Sequence, residues 1–483
     1  MGAFSTPVVC PVIIGRAPER DALFRLIDRA RRGQGRVALV SGEAGVGKSR
    51  LLVEAKAYAD SQNFLLLQGN CFQLDSTYPY APLLDLLRSP VAQPLLTTGS
   101  RPLIQELTPL LPELVQSPLI SPSIPLSDPE QEKRRLFAAL TYFFHELTEQ
   151  RPVLLVFEDL HWCDDISLEF LQSLARLCAD HALLLLMTYR SDEVGPGLQR
   201  CLAQLDRTRL SQELRLSPLS RIEVADMLAA IFAGNSDDAG EQDNLLDLIY
   251  PLTEGNPFFV EEVLSSLASR GVVQTNGEAW RVRLFANRKS ETVPVPRSIQ
   301  DAVQQRIQQL SAEATRVVTF ASVAGRRFDF AVLQEVMRCD EQRLLLLLKE
   351  LVASQLVIEI SADQYAFRHA LTQQAVYTGL LARERRLLHR LLAQAIEQLY
   401  GVAPALDAHL EDLAYHYFEA EVWENAFIYE QRAAEKAMAL YAPQVAIEHV
   451  TRALIALSHL PGTTSSSLYH LRGRAYETLG EFE

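Results

Sequence analysis

The chain has 483 residues, of which 48% are hydrophobic and 22% charged, and its formal net charge is −14. That length is too great for one core and predicts three or four domains at about 150 residues each. The apolar runs Leu183–Met187 and Leu344–Leu348 are far shorter than the ~20 residues that cross a bilayer, so we expect no membrane association. An acidic surface repels phosphate backbones, which disfavours direct nucleic-acid binding by this chain.

The N-terminus and the cysteines predict a cytoplasmic protein. Residues 1–11 show no basic region followed by an apolar stretch, so no secretion signal is expected. The six cysteines are scattered and none forms a C-x-x-C pair. That spacing argues against a zinc site or a disulfide framework and favours a reducing cytosol.

The first 215 residues alternate short apolar runs with helical patterns. Apolar runs without polar alternation, separated by helices, predict an α/β class with a parallel sheet covered on both faces. Pro and Ser are frequent in residues 88–129, which predicts an insertion with loops. The expected strands are 37–40, 64–67, 153–157 and 183–188, and the expected helices are 20–33, 49–59 and 130–149.

Beyond residue 218 the strand pattern fades. Several short helices are expected over 218–270. Further helices at about 298–310, 313–323, 330–337 and 341–353 precede two short alternating segments, 357–360 and 365–367, which suggest a hairpin. Three helices followed by a hairpin are typical of a winged-helix domain.

Residues 371–483 are predicted to be entirely helical. The pattern A-x5-R-A begins at Ala426 and again at Ala446, and residues 468–483 resemble the first helix and turn of a tetratricopeptide unit. The offset of 20 is shorter than the usual 34 of that repeat. A second helix would be needed to cover Tyr476 and Leu479, so we expect a fragment of a longer protein.

The clearest chemical motif fits the P-loop pattern G-x-x-x-x-G-K-[ST]. Its glycines allow successive backbone N–H groups to face phosphate oxygens, and the positive end of the following helix adds to this. We expect the lysine to contact the β- and γ-phosphates and the serine to ligate Mg²⁺. The motif is Gly42, Glu43, Ala44, Gly45, Val46, Gly47, Lys48 and Ser49.

A second acidic motif follows the apolar run that begins at Val153. Glu158 and Asp159 end this expected strand, and ligands bind at the carboxyl ends of strands in open α/β sheets. One carboxylate should hold Mg²⁺ and the other should position the attacking water. Register favours Glu158 for the metal and Asp159 for the water. Because aspartate is commoner in the first position, the two roles could be exchanged.

Five segments together resemble the bacterial STAND-type AAA ATPases, which are signal-transduction ATPases with numerous domains. That family includes large LuxR-type regulators and ATPase modules attached to adenylate cyclases and protein kinases. The resemblance extends over about residues 12–460. Its segments are Ile14–Glu19, Glu158–Leu168, Met187–Arg190, Gly255–Glu262 and Phe367–Leu371.

The resemblance implies roles for five residues. Gly15 and Arg16 would lie against adenine, and Arg190 near the γ-phosphate. Pro257 would lie beside the nucleotide, and His369 would sense the β-phosphate of ADP.

Each segment has a structural alternative. Arg190 could form a surface ion pair, His369 could be a core histidine, residues 255–257 could be a helix–helix turn, and Trp162 is expected to be a packing residue.

These observations predict four domains. They are a P-loop NTPase core over 1–215, a helical lid over 216–292, a winged-helix-like domain over 293–398, and helical repeats similar to tetratricopeptide repeats over 399–483.

The leading functional hypothesis is an ATP/ADP switch with slow, Mg²⁺-dependent hydrolysis. The helical repeats would bind a protein or small-molecule inducer, and nucleotide-dependent self-assembly is possible. A second hypothesis is a DNA-binding transcriptional regulator whose helix-turn-helix lies outside this chain, because residues 330–353 carry no basic face. A third is a scaffold that binds nucleotide without hydrolysing it.

Overall fold

The fold is described from a computed structural model. It describes residues 9–72, 78–97, 101–111, 129–232, 239–269, 273–275, 280–282, 303–304, 306–354, 356–401, 405–460 and 465–480. The chain divides into two compact units. One consists of Met1–Pro18, Gly42–Leu51 and Leu216–Leu388, and the other of Glu19–Ser41, Leu52–Arg215 and His389–Glu483.

The second unit is built on a five-stranded parallel sheet in the order β2-β3-β4-β1-β5. Every residue of β3 and β4 is buried, as expected for central strands covered on both faces. The predicted α/β class and parallel sheet are therefore confirmed. The strands are β1 (Arg36–Ser41), β2 (Leu65–Asn70), β3 (Val153–Glu158), β4 (Leu183–Tyr189) and β5 (Ser211–Arg215).

The fifth strand was not predicted from the sequence. Only Leu214 of its five residues is buried, because β5 is an edge strand that pairs with β1 alone. A polar edge strand lacks the apolar run that identifies a central strand.

Helices alternate with these strands as predicted. The segment 88–129, where an insertion with loops was expected, contains two short helices, Ala92–Thr97 and Arg101–Leu107, and its residues 98–100 and 112–128 lie outside the described residues. The helices up to β5 are α1 (Ala17–Arg31), α2 (Lys48–Ser61), α3 (Ala81–Leu87), α4 (Ala92–Thr97), α5 (Arg101–Leu107), α6 (Pro129–Gln150), α7 (Asp165–Cys178) and α8 (Pro196–Arg207).

The first unit continues with three helices, α9 (Arg221–Ile231), α10 (Ala239–Thr253) and α11 (Pro257–Ser269), and then two short antiparallel strands, β6 (Val273–Thr275) and β7 (Trp280–Val282). A capping box formed by Ser220 and Glu223 fixes the start of α9. The three helices share an apolar core that includes Val224, Ile249 and Val263.

A small antiparallel sheet follows, with the strand order β8-β10-β9. It confirms the predicted hairpin, and β8 is an unpredicted third strand. Much of the helix expected at 298–310 lies outside the described residues. The elements are α12 (Ala312–Ala324), β8 (Arg327–Asp329), α13 (Phe330–Met337), α14 (Glu341–Ala353), β9 (Val357–Glu359), β10 (Gln364–Phe367) and α15 (Ala370–Thr378).

The C-terminal part is helical, as predicted. In the second unit, Ala437, Leu440, Ala446 and Ala475 belong to the same buried apolar cluster as residues of β3 and β4. Part of the C-terminal helical region therefore shares a core with the parallel sheet, whereas Ala434, Val450 and Leu468 belong to a separate apolar cluster. These helices are α16 (Ala382–Tyr400), α17 (Leu410–Glu419), α18 (Trp423–Ala439), α19 (Pro443–Ser458) and α20 (Ser466–Leu479). Within the described ranges, no helix is apolar and long enough to span a membrane.

Candidate functional site

The P-loop, residues 42–49, begins at the residue after β1 and ends in the first turn of α2. Gly42, Gly45 and Gly47 have φ angles of 150°, 80° and 104°, a region that favours glycine over residues with a Cβ atom. At Gly45 a Cβ atom would lie 2.8 Å from Oδ1 of Asn256. Glycine is therefore required there both by the backbone angle and by the close approach of a neighbouring side chain.

Lys48 is buried, and its ammonium group lies within the curve of the loop. It donates to the carbonyl oxygens of Gly42 at 2.7 Å and Glu43 at 2.8 Å. Ser49, the next residue, is exposed at the start of α2. A cationic side chain at a helix N-terminus, beside a glycine-rich turn, is the arrangement that binds a polyphosphate.

Gly15 and Arg16 lie in the same unit as the P-loop. Gly15 has a φ of 67°, and a Cβ atom there would lie 2.3 Å from Oε1 of Glu223. The buried Arg16 donates to the carbonyl oxygens of Val46 at 3.2 Å and Ser217 at 2.5 Å. Arg16 therefore links the P-loop residue Val46 to Ser217 through their carbonyl oxygens. The sequence did not predict this contact.

Asn256 connects the P-loop to the start of α11. Its Nδ2 donates to the carbonyl oxygen of Ala44 at 2.9 Å, and its Oδ1 accepts from the backbone N–H of Phe258 at 3.1 Å. Phe258 N–H also approaches the Gly45 carbonyl oxygen at 3.3 Å. Pro257 is the first residue of the helix, where its missing N–H costs nothing. The sequence placed Pro257 in the site but missed the tethering roles of Asn256 and Phe258.

His369 packs against Phe258, with the ring centroids 4.4 Å apart. Burial, together with the positive charges of Arg368, Arg306 and Arg326, lowers the pKa of this half-buried histidine from 6.5 to about 3. The ring is therefore neutral near pH 7. Contacts thus run from Gly45 through Phe258 to His369.

At the carboxyl edge of the sheet in the second unit, Glu158 is buried and held by two neighbours. Its Oε1 accepts from Nε2 of Gln68 at 3.0 Å, and the Lys56 ammonium lies 3.7 Å away. These partners come from β2 and α2, so no local pattern around Glu158 could have indicated them.

Asp159 has a φ of 64°, a left-handed conformation that is uncommon for a residue other than glycine. Its backbone N–H donates to Oγ1 of Thr188 at 2.9 Å, which joins the end of β3 to β4. Strained backbone of this kind is often concentrated at functional sites. It supports the choice of Asp159 as a candidate, although its role remains a prediction.

Arg190 follows β4 and is 5% exposed, whereas the side chain of Glu193 is 40% exposed, so the ion pair considered above is present at the edge of the protein surface. Its guanidinium pairs with Glu193 and lies 4.8 Å from the ring centroid of Trp162. Its backbone N–H donates to Nδ1 of His161 at 3.4 Å. Trp162 packs against the core of the sheet, which confirms the expectation that it is a packing residue.

The donors proposed for Mg²⁺ are all oxygens, from the Ser49 hydroxyl and from the Glu158 and Asp159 carboxylates. Oxygen donors suit this hard cation. The donor chemistry therefore fits Mg²⁺, and the assignment of these three residues remains a prediction.

Residues 12–187 match the family model described as AAA ATPase domain. A curated relative, an uncharacterized protein of Rhizobium meliloti (strain 1021), is 27% identical over 459 residues, which cover 90% of this chain and 42% of the relative. The chain thus spans less than half the length of that relative.

Solved structures of two archaeal proteins are similar to the chain. One is a STAND protein with a tetratricopeptide repeat sensor from Pyrococcus horikoshii, which is 14% identical; the match covers 99% of this chain and 63% of that one, with a TM-score of 0.48. The other is Cdc6p from Pyrobaculum aerophilum, also 14% identical; the match covers 78% of this chain and 98% of that one, with a TM-score of 0.37.

Proposed function

Because residues 12–187 match the model of an AAA ATPase domain, we propose that the chain is a regulatory switch set by bound ATP or ADP. The supporting observation is the line of contacts that joins Ala44 and Gly45 of the P-loop to Asn256 and Phe258, and Phe258 to His369. A change in the loop on nucleotide exchange would displace the start of α11 and the ring packed on it.

Each P-loop residue has a part in this proposal. The backbone N–H groups of Glu43, Ala44, Gly45, Val46 and Gly47 bind phosphate oxygens. Lys48 exchanges its two carbonyl contacts for the β- and γ-phosphates, because a charge-assisted bond to phosphate is stronger than one to a neutral carbonyl. Gly15, Arg16 and Pro257 contact the rest of the nucleotide.

Hydrolysis in this proposal requires Mg²⁺, which would neutralise phosphate charge when bound. Ser49 and Glu158 hold the cation, and Asp159 orients the attacking water. Arg190 contacts the γ-phosphate after leaving Glu193. Because these groups are already engaged by neighbours, we expect slow turnover that acts as a timer.

His369 distinguishes the two nucleotide states in this proposal. A neutral imidazole offers one N–H donor and one acceptor, so it can donate to a β-phosphate oxygen without adding a full charge. A ligand shifts an equilibrium only through different contacts in its two states. The contact with His369 in the ADP state and that with Arg190 in the ATP state supply this difference.

The C-terminal helices supply the input. We propose that they form a tetratricopeptide-like sensor, as in a STAND-type protein. The winged-helix-like domain, residues 293–398, would be part of the switch. The shared core of Ala446 and the parallel sheet supports this view, since an inducer that repacks α19 would alter packing under the sheet.

Two measurements test the proposal. Hydrogen exchange of residues 250–265 and 364–378 should differ between ATP- and ADP-loaded protein, and identical exchange in both states would contradict a switch.

Turnover should fall at least tenfold in Glu158→Gln and in Asp159→Asn, with ATP binding retained. If the unmodified chain binds ATP with no turnover at all, the chain is a nucleotide-binding scaffold.

A further inference from the structure

Three side chains that could hold a metal ion meet at the amino edge of the parallel sheet. His145 and Glu149 lie on α6 at i and i+4, a spacing that puts them on one face of the helix. His181 lies in the turn between α7 and β4. One ligand atom from each residue lies within 4.8 Å of the other two.

A ring nitrogen of each histidine is placed to accept a metal ion. Nδ1 of His181 lies 2.9 Å from the Leu177 carbonyl oxygen, and a carbonyl only accepts, so Nδ1 carries the hydrogen and Nε2 keeps its lone pair. A second hydrogen bond of this kind commonly orients a metal-binding histidine. Nδ1 of His145 is buried and has no hydrogen-bond partner among the described residues.

The backbone holds His181 firmly in place. Its carbonyl oxygen accepts from the N–H of Gly35 at 3.2 Å, and the carbonyl oxygen of Ala182 accepts from the N–H of Val153 at 2.8 Å. The rings of His145 and His181 meet edge to face, with centroids 4.8 Å apart. The exposed Glu149 side chain is free to rotate towards both rings.

Two imidazoles and one carboxylate are the ligand set of a borderline cation such as Zn²⁺. Zinc–ligand bonds of about 2.1 Å place tetrahedral ligand atoms about 3.4 Å apart, so the three ligand atoms, which lie within 4.8 Å of one another, would close the site by small side-chain rotations. We propose that His145, Glu149 and His181 bind a divalent transition-metal ion of the zinc class, with water in the fourth position.

This site is separate from the nucleotide-binding residues of the same sheet. His181 precedes β4, whereas Arg190 follows it, and Arg151 precedes β3, whereas Glu158 ends it. A cation at the amino edge therefore joins the end of α6 to the start of β4. Binding of the ion should stabilise the folded chain, because an ion that binds only the folded state shifts the folding equilibrium towards it.

The test is titration of the metal-free chain with Co²⁺ and Zn²⁺ alone. One equivalent of Co²⁺ should give visible absorption bands of a four-coordinate site without the near-ultraviolet band of a thiolate ligand, and Zn²⁺ should displace it. Thermal unfolding should shift upward with Zn²⁺. His145→Gln, His181→Gln and Glu149→Gln should each weaken binding by about a hundredfold or more, since even residues behind the ligands affect affinity 10- to 100-fold.

The exposed His470 provides a matched control, and His470→Gln should leave Co²⁺ binding unchanged. Glu149→Gln changes only an exposed side chain, so it remains informative if a histidine variant does not fold. The proposal is overturned if the intact chain binds no stoichiometric Co²⁺, if the spectrum shows thiolate ligands, or if Glu149→Gln binds as tightly as the parent.

Discussion

At the scale of single residues, Asn256 connects the P-loop to α11. Replacing it with alanine removes the donor to the Ala44 carbonyl oxygen and the side-chain acceptor of the Phe258 and Phe259 N–H groups. We expect Asn256→Ala to destabilise the chain by about 1–2 kcal/mol. Asn256→Ser should recover part of this by restoring only the helix cap. Thermal unfolding of the parent and the two variants would measure these differences in stability. An unchanged midpoint for Asn256→Ala would contradict the stabilising contact between Asn256 and the P-loop.

His369 predicts a dependence of stability on pH. Its folded pKa of about 3 lies below its ordinary value of 6.5. As the pH falls through 6.5 the unfolded chain therefore takes up a proton that the folded chain does not, and stability decreases. When the pH is lowered from 7 to 5, the free energy of unfolding should decrease by about 2 kcal/mol less in His369→Gln than in the parent. Urea unfolding at the two pH values measures this difference. His470→Gln is the control, and equal losses in all three proteins would refute the assignment.

At the scale of elements, the turn between α10 and α11 sets the position of Asn256. Gly255 has a φ of 78°, and a Cβ atom there would lie 1.9 Å from the Leu219 carbonyl oxygen. Gly33 has the same φ of 78°, but nothing lies within 4 Å of its Cβ position. Gly33→Ala therefore measures the effect of the backbone angle alone, without a steric clash. We expect Gly255→Ala to lower the unfolding midpoint well below that of Gly33→Ala. Equal midpoints would show that the turn tolerates a Cβ atom.

The elements also show what the sequence could not predict. The central strands and most helices were predicted because their apolar residues recur with a clear period. The strands β5 to β8 were missed, because β5 is a polar edge strand and β6, β7 and β8 have only three residues each. The partners of Glu158 and the contact of Asn256 with Ala44 join distant parts of the chain, so local sequence patterns carried no information about them.

At the scale of the whole molecule, the C-terminal helices and the parallel sheet should be stabilised together. Ala446 of α19 is fully buried in the cluster that they share. A charge there would be buried among apolar side chains, so Ala446→Asp should cost several kcal/mol of stability. It should also reduce the hydrogen-exchange protection of β3 and β4.

Ile455 lies on the same helix and is 43% exposed, so Ile455→Asp should have little effect. If Ala446→Asp loosened only α18 to α20 and left β3 and β4 fully protected, the helices would not stabilise the sheet.

The central claim is that the chain binds a nucleotide through its P-loop. Equilibrium dialysis with labelled ATP and Mg²⁺ tests it most directly, with the parent chain, Lys48→Ala, and Lys349→Ala, which removes an exposed lysine of α14. We expect the parent and Lys349→Ala to bind one ATP with equal affinity. Lys48→Ala should bind at least about tenfold more weakly, because it loses charge-assisted bonds of about 1.5–3 kcal/mol. Equal affinity in all three proteins, or no binding by the parent, would contradict the claim.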